Sequence, residues 1–170
     1  MSRGFVKEDD LEHAGTDVPE RSISTHTNYV TVKGYALLEK QANALELQRK
    51  ALSAKKDDQQ AQQQLAIVNR DLRYVAARLE SAQVVKPTVT KPDVTASQVL
   101  FGATVMVEDE EGDSHTYEIV GEDEADIKAG KVSWTSPLAK ALIGHKVDEN
   151  VVWVRPAGNQ TLTITHIDYS

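Results

Sequence analysis

Two leucine ladders separated by a polar stretch constrain this chain more than any other feature of its sequence. Each ladder repeats every seven residues and carries a second line three residues later, which is the a/d spacing of a heptad. The ladders are Leu38, Leu45 and Leu52 with Tyr35, Ala42 and Arg49, and Leu65, Leu72 and Leu79 with Val68, Val75 and Ala82. No apolar side chain larger than alanine lies between them, in residues 53–64. The pattern predicts an antiparallel coiled-coil hairpin over residues 31–85.

The ends of the two predicted helices carry capping residues. Thr31 or Asn28 suits the N-terminus of the first helix, and Asp57 or Asp58 suits that of the second, where carboxylates are favoured. Because residues 35–52 contain neither proline nor glycine, nothing interrupts the first helix. The two aspartates therefore lie at the tip of the hairpin, either as helix caps or as functional acids.

The segments on either side of the hairpin have loop-like compositions. Residues 1–30 show no sustained helical or strand period and predict a flexible N-terminal arm. The alternative is that the arm docks on a partner or along the hairpin through Phe5, Val6 and Leu11. Residues 86–97 contain two prolines within six residues, which predicts an extended linker.

Residues 98–170 change to strand signals. Alternating segments on both sides of a charged turn, residues 100–107 and 115–120, predict one β-hairpin, and residues 151–155 and 161–167 predict a second. Between the hairpins, a serine followed by proline and, eight residues after the serine, a glycine mark the start and end of a short helix over residues 136–144. The whole chain is predicted to be α+β, a helical hairpin followed by an antiparallel sheet with one short helix.

Charge and composition exclude several classes of protein. Residues 86–170 carry fourteen acidic and seven basic side chains, a poor surface for a phosphate backbone, so direct duplex binding is not expected. The chain has no cysteine, no apolar run near the roughly 20 residues that span a bilayer, and no signal-peptide core at its N-terminus. A soluble cytoplasmic protein with no membrane contact is expected.

The sequence shows no self-contained catalytic or metal constellation. The five histidines are scattered without ligand spacing, and no phosphate-binding loop or nucleophile elbow is present. A binding protein with no cofactor of its own is therefore expected rather than an enzyme.

Several blocks of the C-terminal part resemble the bacterial Gre transcript-cleavage factors. They include residues 101–105, 117–126, 127–133 and 136–144, which occur in the same order as in that family. The resemblance implies an FKBP-like C-terminal domain over residues 98–170. It also implies that this domain docks on RNA polymerase at its secondary channel, that a monomer enters the channel with its coiled coil, and that nucleic acid is met only inside the polymerase complex.

Site residues follow from the resemblance, position by position. The acidic loop Asp123, Glu124 and Asp126 and the turn Ser136, Pro137 and Leu138 match the family's polymerase-binding surface. Gre factors carry an acidic pair at the tip that helps to hold the polymerase's magnesium, so Asp57 and Asp58 are the candidates to share that metal. They are adjacent here rather than three residues apart, and each arm is about one heptad, or about 10 Å, shorter than in Gre factors.

Three alternatives follow. A shorter hairpin resembles the Rnk-type relatives, so the chain is either a cleavage-stimulating factor or a non-cleaving competitor that occupies the channel. An FKBP-type prolyl isomerase would need a pocket lined by aromatic residues drawn from Phe101, Tyr117, Trp134, Trp153 and Tyr169. A coiled-coil scaffold would use Arg49, at a seam position, to select its partner helix.

Overall fold

The structure is a computed structural model that describes residues 18–86 and 98–169. Most of the predicted linker and the first 17 residues of the predicted arm, with Phe5, Val6 and Leu11, lie outside the described residues. Within the described part, no helix is both long enough and apolar enough to cross a membrane.

Contacts group the chain into two compact units. Of the described residues, the hairpin unit holds 18–25 and 38–80. The C-terminal unit holds residues 26–37, 81–86 and 98–169. The first residues of the hairpin's leading helix therefore belong with the C-terminal unit, a grouping that sequence periodicity does not indicate.

The hairpin consists of helix α1 (Val32–Ser53) and helix α2 (Gln59–Ser81). Both helices lie within the range predicted for the hairpin, residues 31–85, and α2 ends four residues before the end of that range. Val68 and Val75 of the second ladder are buried, and so is Leu38 of the first. The remaining ladder residues are half-buried, and Ala61 and Arg78, which lie outside the ladders, are buried as well.

Five strands of the C-terminal unit form one sheet, and two short strands form a separate pair. The pair is β1 (Tyr29–Val30) and β2 (Gln83–Val84), and the sheet contains β3 (Thr104–Glu108), β4 (Ser114–Val120), β5 (Lys131–Ser133), β6 (Asn150–Trp153) and β7 (Gln160–Asp168). The sheet order is β5-β4-β3-β7-β6. Both predicted β-hairpins, β3–β4 and β6–β7, are present and antiparallel.

The α+β class is confirmed, with one departure from a purely antiparallel sheet. Strand β5 pairs with β4 in parallel, through Glu118↔Lys131 to Val120↔Ser133. The chain reaches this position through two 3₁₀ turns, Glu122–Glu124 and Ile127–Ala129. A three-residue strand is too short to show the alternation from which strands are predicted.

Helix α3 (Pro137–Leu142) closes the core of the C-terminal unit. It contacts both edge strands, β5 and β6. The edges of a flat five-stranded sheet would be about 19 Å apart, whereas a six-residue helix is only about 9 Å long, so the sheet must curl around the helix. The core combines strand residues such as Val105, Ile119 and Ile164 with Leu138 and Leu142 of the helix.

Candidate partner-binding surface and hairpin tip

The tip of the hairpin is a short hydrogen-bonded turn. The Lys55 amide donates to the Leu52 carbonyl at 3.1 Å, and the Asp58 amide donates to the Lys55 carbonyl at 3.2 Å. The Gln62 side chain closes the same turn by donating to the Lys55 carbonyl at 3.0 Å. All side chains from Ala54 to Gln60 are exposed, so the turn presents two lysines beside two aspartates to its surroundings.

The two tip aspartates have different roles in this turn. Asp58 Oδ1 accepts hydrogen bonds from the amides of Gln60 at 3.0 Å and Ala61 at 3.2 Å. Asp58 is therefore the N-cap of α2, where its carboxylate satisfies two backbone donors and faces the positive end of the helix dipole. Asp57 is exposed and takes no part in that cap.

Replacing Asp58 with alanine is expected to lower the free energy of unfolding of the hairpin by about 1 kcal/mol, because two backbone donors lose their acceptor. Asp57→Ala is the matched control and is expected to change it by less than about 0.5 kcal/mol. Urea unfolding followed by circular dichroism at 222 nm measures both, since α1 and α2 dominate that signal. Equal effects of the two substitutions would contradict the assignment of the cap.

The turn before α3 combines exposed and buried residues. The Ser136 hydroxyl accepts a hydrogen bond from the Ala139 amide at 3.2 Å and caps the helix, and Pro137 follows at the first helical position with an exposed side chain. Leu138 is only 4% exposed and packs in the core. Of the three residues, only Pro137 has an exposed side chain, whereas Leu138 anchors the helix in the core.

The acidic segment that precedes β5, residues 123–126, also combines exposed and buried side chains. Asp126 is exposed, and its carboxylate caps the following turn by accepting from the Lys128 amide at 3.2 Å. Asp123 is half-buried in the first 3₁₀ turn. Glu124 is 8% exposed, so its side chain is not available for direct contact with a partner.

Glu124 instead binds the N-terminal turn of α1. Its Oε2 accepts a hydrogen bond from the Thr31 hydroxyl at 2.5 Å, and the same hydroxyl accepts from the Gly34 amide at 2.9 Å, so Thr31 is the N-cap of α1. Lys131 Nζ lies 3.7 Å from Glu124 Oε1. A buried carboxylate is costly without a partner, and here the helix N-terminus and the lysine provide compensation.

The absence of a side chain at Gly34 makes this arrangement possible. A Cβ at this position would lie 2.6 Å from Glu124 Oε2. In a helix, alanine is otherwise favoured over glycine by up to about 1 kcal/mol. Steric conflict and helix propensity therefore oppose each other at this position.

We expect Gly34→Ala to lower the free energy of unfolding by about 1 kcal/mol in the natural chain and to raise it by up to about 1 kcal/mol in a Glu124→Ala background. The reversal arises because only the first chain contains the conflicting carboxylate. A double-mutant cycle measured by tryptophan fluorescence tests this, since Trp134 and Trp153 both lie in the C-terminal unit. Additive effects of the two substitutions would show that Gly34 and Glu124 are not coupled.

The described part of the N-terminal arm makes specific contacts within the hairpin unit. Arg73 Nε donates to both carboxylate oxygens of Glu20, at 3.0 and 3.2 Å, and this hydrogen bonding lowers the pKa of Glu20. The Arg21 guanidinium lies 3.7 Å from the centre of the Tyr74 ring and 3.5 Å from Asp71. The ion pairs are exposed and therefore individually weak, but together with the stacking on Tyr74 they hold residues 20 and 21 along α2.

The aromatic residues of the C-terminal unit fall into separate groups. Trp134 packs against Tyr29 at 5.1 Å between ring centres, whereas Tyr117 packs against Trp153 at 6.4 Å. The Tyr169 hydroxyl accepts from the Leu100 amide at 2.9 Å. Tyr29 also packs against Phe101, at 6.0 Å between ring centres, so among the described residues one group of rings surrounds Tyr29 and another includes Tyr117 and Trp153. The prolyl-isomerase alternative stays a prediction.

Strands β1 and β2, which bring the two ends of the hairpin together within the C-terminal unit, were not predicted from the sequence. Strands β1 and β2 pair in parallel through Tyr29↔Gln83 and Val30↔Val84. Gly121 lies so close to this pair that a Cβ there would be 2.4 Å from the Tyr29 carbonyl oxygen. A glycine within an otherwise helical pattern, Gly34, was the one local signal of close packing.

Sequence comparison identifies the family of this chain. The family described as "Transcription elongation factor, GreA/GreB, C-term" matches residues 94–169. Transcription elongation factor GreA of Trichlorobacter lovleyi is 48% identical over 99 residues, which are 58% of this chain and 60% of that protein. The chain therefore matches less than two thirds of the length of that relative.

Two further relatives are matched over more of their length. GreA of Alkalilimnicola ehrlichii is 40% identical over 65% of this chain and 68% of that protein. GreA of Polaromonas naphthalenivorans is 39% identical over 69% of this chain and 73% of that protein. These two alignments, of 111 and 119 residues, are longer than the family match over residues 94–169. Because the whole chain has 170 residues, an alignment of that length also includes part of the hairpin. The chain belongs to the GreA/GreB family of transcription elongation factors.

Proposed function

We propose that this chain binds RNA polymerase through its C-terminal unit and regulates transcript elongation as an accessory factor. The observation that carries the proposal is the family match over residues 94–169, which contain both the Asp126 turn and the Ser136–Pro137 turn. Its relatives of 39–48% identity are named transcription elongation factors. The partner surface would consist of exposed residues, chiefly Asp126 and Pro137, with Ser136 holding Pro137 in place.

The charge of the chain supports a protein partner. The segment from Gly121 to Lys131 carries four acidic and two basic side chains, and residues 86–170 carry fourteen acidic and seven basic ones. An acidic surface steers association towards a basic protein surface and repels a phosphate backbone. Contact with nucleic acid would therefore be indirect, inside the polymerase complex, and the chain would act as a monomer.

We place the hairpin in the polymerase's secondary channel, as the family resemblance implies. Helix α1 has 22 residues and is thus about 33 Å long. The tip favours the version in which the chain occupies the channel without stimulating RNA cleavage, because one oxygen of Asp58 is already committed to the cap of α2. Asp57 then remains as the exposed tip carboxylate that takes no part in the cap.

The tip residues do not fit a resident metal ion. Among the described residues, no group of three or more His, Asp or Glu side chains is placed to hold one. Lys55 and Lys56 lie next to the aspartates in sequence and are exposed with them, which opposes cation binding electrostatically. Any magnesium near the tip would belong to the polymerase, and the sharing of that ion by Asp57 and Asp58 stays a prediction.

A transcript-cleavage assay on backtracked elongation complexes tests the proposal and separates its two versions. The natural chain is expected to leave the rate of cleavage at its intrinsic value and to inhibit, in a dose-dependent way, cleavage stimulated by an added GreA. The control is the double variant Asp57→Ala/Asp58→Asn, in which asparagine preserves the cap. Its inhibition should equal that of the natural chain.

Stimulation by the natural chain that is lost in the double variant would establish the cleavage-stimulating version instead. If the natural chain neither stimulates nor inhibits at saturating concentration, the proposed function is wrong.

A further inference from the structure

Ile127 is the most exposed of the large apolar side chains in the described part of the chain. It is 85% exposed, whereas the other exposed large apolar residues range from 37% to 69%. Single exposed apolar residues are common on protein surfaces, so exposure alone assigns no role. What distinguishes Ile127 is the rigid turn that presents it.

The turn around Ile127 is held by hydrogen bonds on all sides. Asp126 and Lys131 exchange two backbone hydrogen bonds, each of 2.9 Å, and the Gly130 amide donates to the Ile127 carbonyl at 3.0 Å. The Asp126 carboxylate caps the turn through the Lys128 amide. These hydrogen bonds hold the turn in a conformation that leaves the Ile127 side chain in solvent.

Gly130 ties this turn to the sheet. Its φ is +74°, in the left-handed region, and an added Cβ would lie 2.8 Å from the Thr116 carbonyl oxygen. Its own carbonyl accepts from the Glu118 amide of β4 at 2.8 Å. The isoleucine is therefore pre-organised on a fixed support, which reduces the conformational entropy lost on binding.

The charges around the turn indicate what would cover Ile127. Asp126 immediately precedes it and is exposed, while Lys131 is directed towards Glu124. The remaining exposed cation of the turn is Lys128, and the segment from Gly121 to Lys131 is net negative. A complementary surface thus combines an apolar depression for the isoleucine with basic side chains beside it.

We propose that Ile127 is the apolar anchor of the contact with RNA polymerase, and that it inserts into an apolar depression of the polymerase flanked by basic side chains. The inference rests on the proposed function for the identity of the partner, and goes beyond it by naming the side chain that supplies most of the apolar contact. Asp126 has two roles in this contact, as the cap of the turn and as a charge facing the partner.

The test is the affinity of the full chain for RNA polymerase core, measured by biolayer interferometry for Ile127→Ala and for Val154→Ala. Val154 is a matched control because it lies in the same unit and is 62% exposed. Ile127→Ala is expected to weaken binding about 10-fold or more, as burial of an isoleucine predicts. Val154→Ala should stay within about twofold, and neither substitution should change the midpoint of urea unfolding.

The variant Asp126→Asn tests the role of the negative charge at residue 126. Asp126→Asn keeps an oxygen that can accept from the Lys128 amide but removes the negative charge. Its affinity is expected to fall about threefold or more at low salt and to depend less steeply on salt concentration.

Three results would overturn the anchor. If Ile127→Ala binds the polymerase with the same affinity as the natural chain, the anchor is wrong and the proposed function stands. The same holds if Val154→Ala loses as much affinity as Ile127→Ala. Absence of binding by the natural chain contradicts the proposed function, and the anchor with it.

Discussion

Replacing Leu138 with alanine is expected to lower the free energy of unfolding of the C-terminal unit by about 2–5 kcal/mol. Leu138 is 4% exposed and belongs to the same core as Leu142 and Ile164. Truncation removes its apolar contacts and leaves a cavity where α3 meets the sheet. Urea unfolding followed by tryptophan fluorescence measures the loss directly.

The neighbouring Pro137 supplies the control for this prediction. Its side chain is exposed at the first position of α3, so Pro137→Ala should change the free energy of unfolding by less than about 1 kcal/mol. Under the proposed function it should instead weaken binding to the polymerase. If Leu138→Ala were as stable as the natural chain and lost only affinity, the assignment of Leu138 to the core would be wrong.

Gly121→Ala is expected to lower the free energy of unfolding by about 1–3 kcal/mol, through overpacking against the backbone. An added Cβ would lie 2.4 Å from the Tyr29 carbonyl oxygen. Since backbone cannot rotate away as a side-chain end can, β1 would have to shift. Gly121 has φ −70°, which alanine adopts freely, so the loss would be steric.

Gly158→Ala provides the comparison for that steric effect. Gly158 has φ +119°, and nothing lies within 4 Å of an added Cβ, so the stability lost on Gly158→Ala would come only from backbone strain.

Combining Gly121→Ala with deletion of residues 1–30 would remove the clash with Tyr29 and with it the steric penalty. A full penalty in the deleted chain would contradict the close approach of Tyr29 as its cause.

Most secondary structure could be predicted because local patterns determine it here. The heptads placed α1 and α2, the alternation placed both β-hairpins, and Ser136 with Pro137 marked the start of α3. Strands β1, β2 and β5 could not be predicted in this way. They have two or three residues each, and their pairing depends on tertiary contacts rather than on a local period.

The candidate site was harder to predict because burial cannot be read from residue type in a charged segment. Asp123, Glu124 and Asp126 look equivalent in sequence, yet Glu124 is buried against Thr31 while Asp126 is exposed. The two tip aspartates show the same limitation, since only the hydrogen bonds of Asp58 identify it as the cap. Asp58 takes its role from two backbone amides, whereas Glu124 takes its role from the Thr31 hydroxyl and the Lys131 side chain.

We propose that the C-terminal unit binds RNA polymerase through the exposed residues of the Asp126 and Pro137 turns. The most direct measurement is a titration of the full chain against immobilised polymerase core, with Pro137→Ala and Asp57→Ala as the paired variants. We expect saturable binding that Pro137→Ala weakens several-fold and Asp57→Ala leaves unchanged. No saturable binding under conditions in which a GreA relative binds, or binding that depends on Asp57 and not on Pro137, would contradict it.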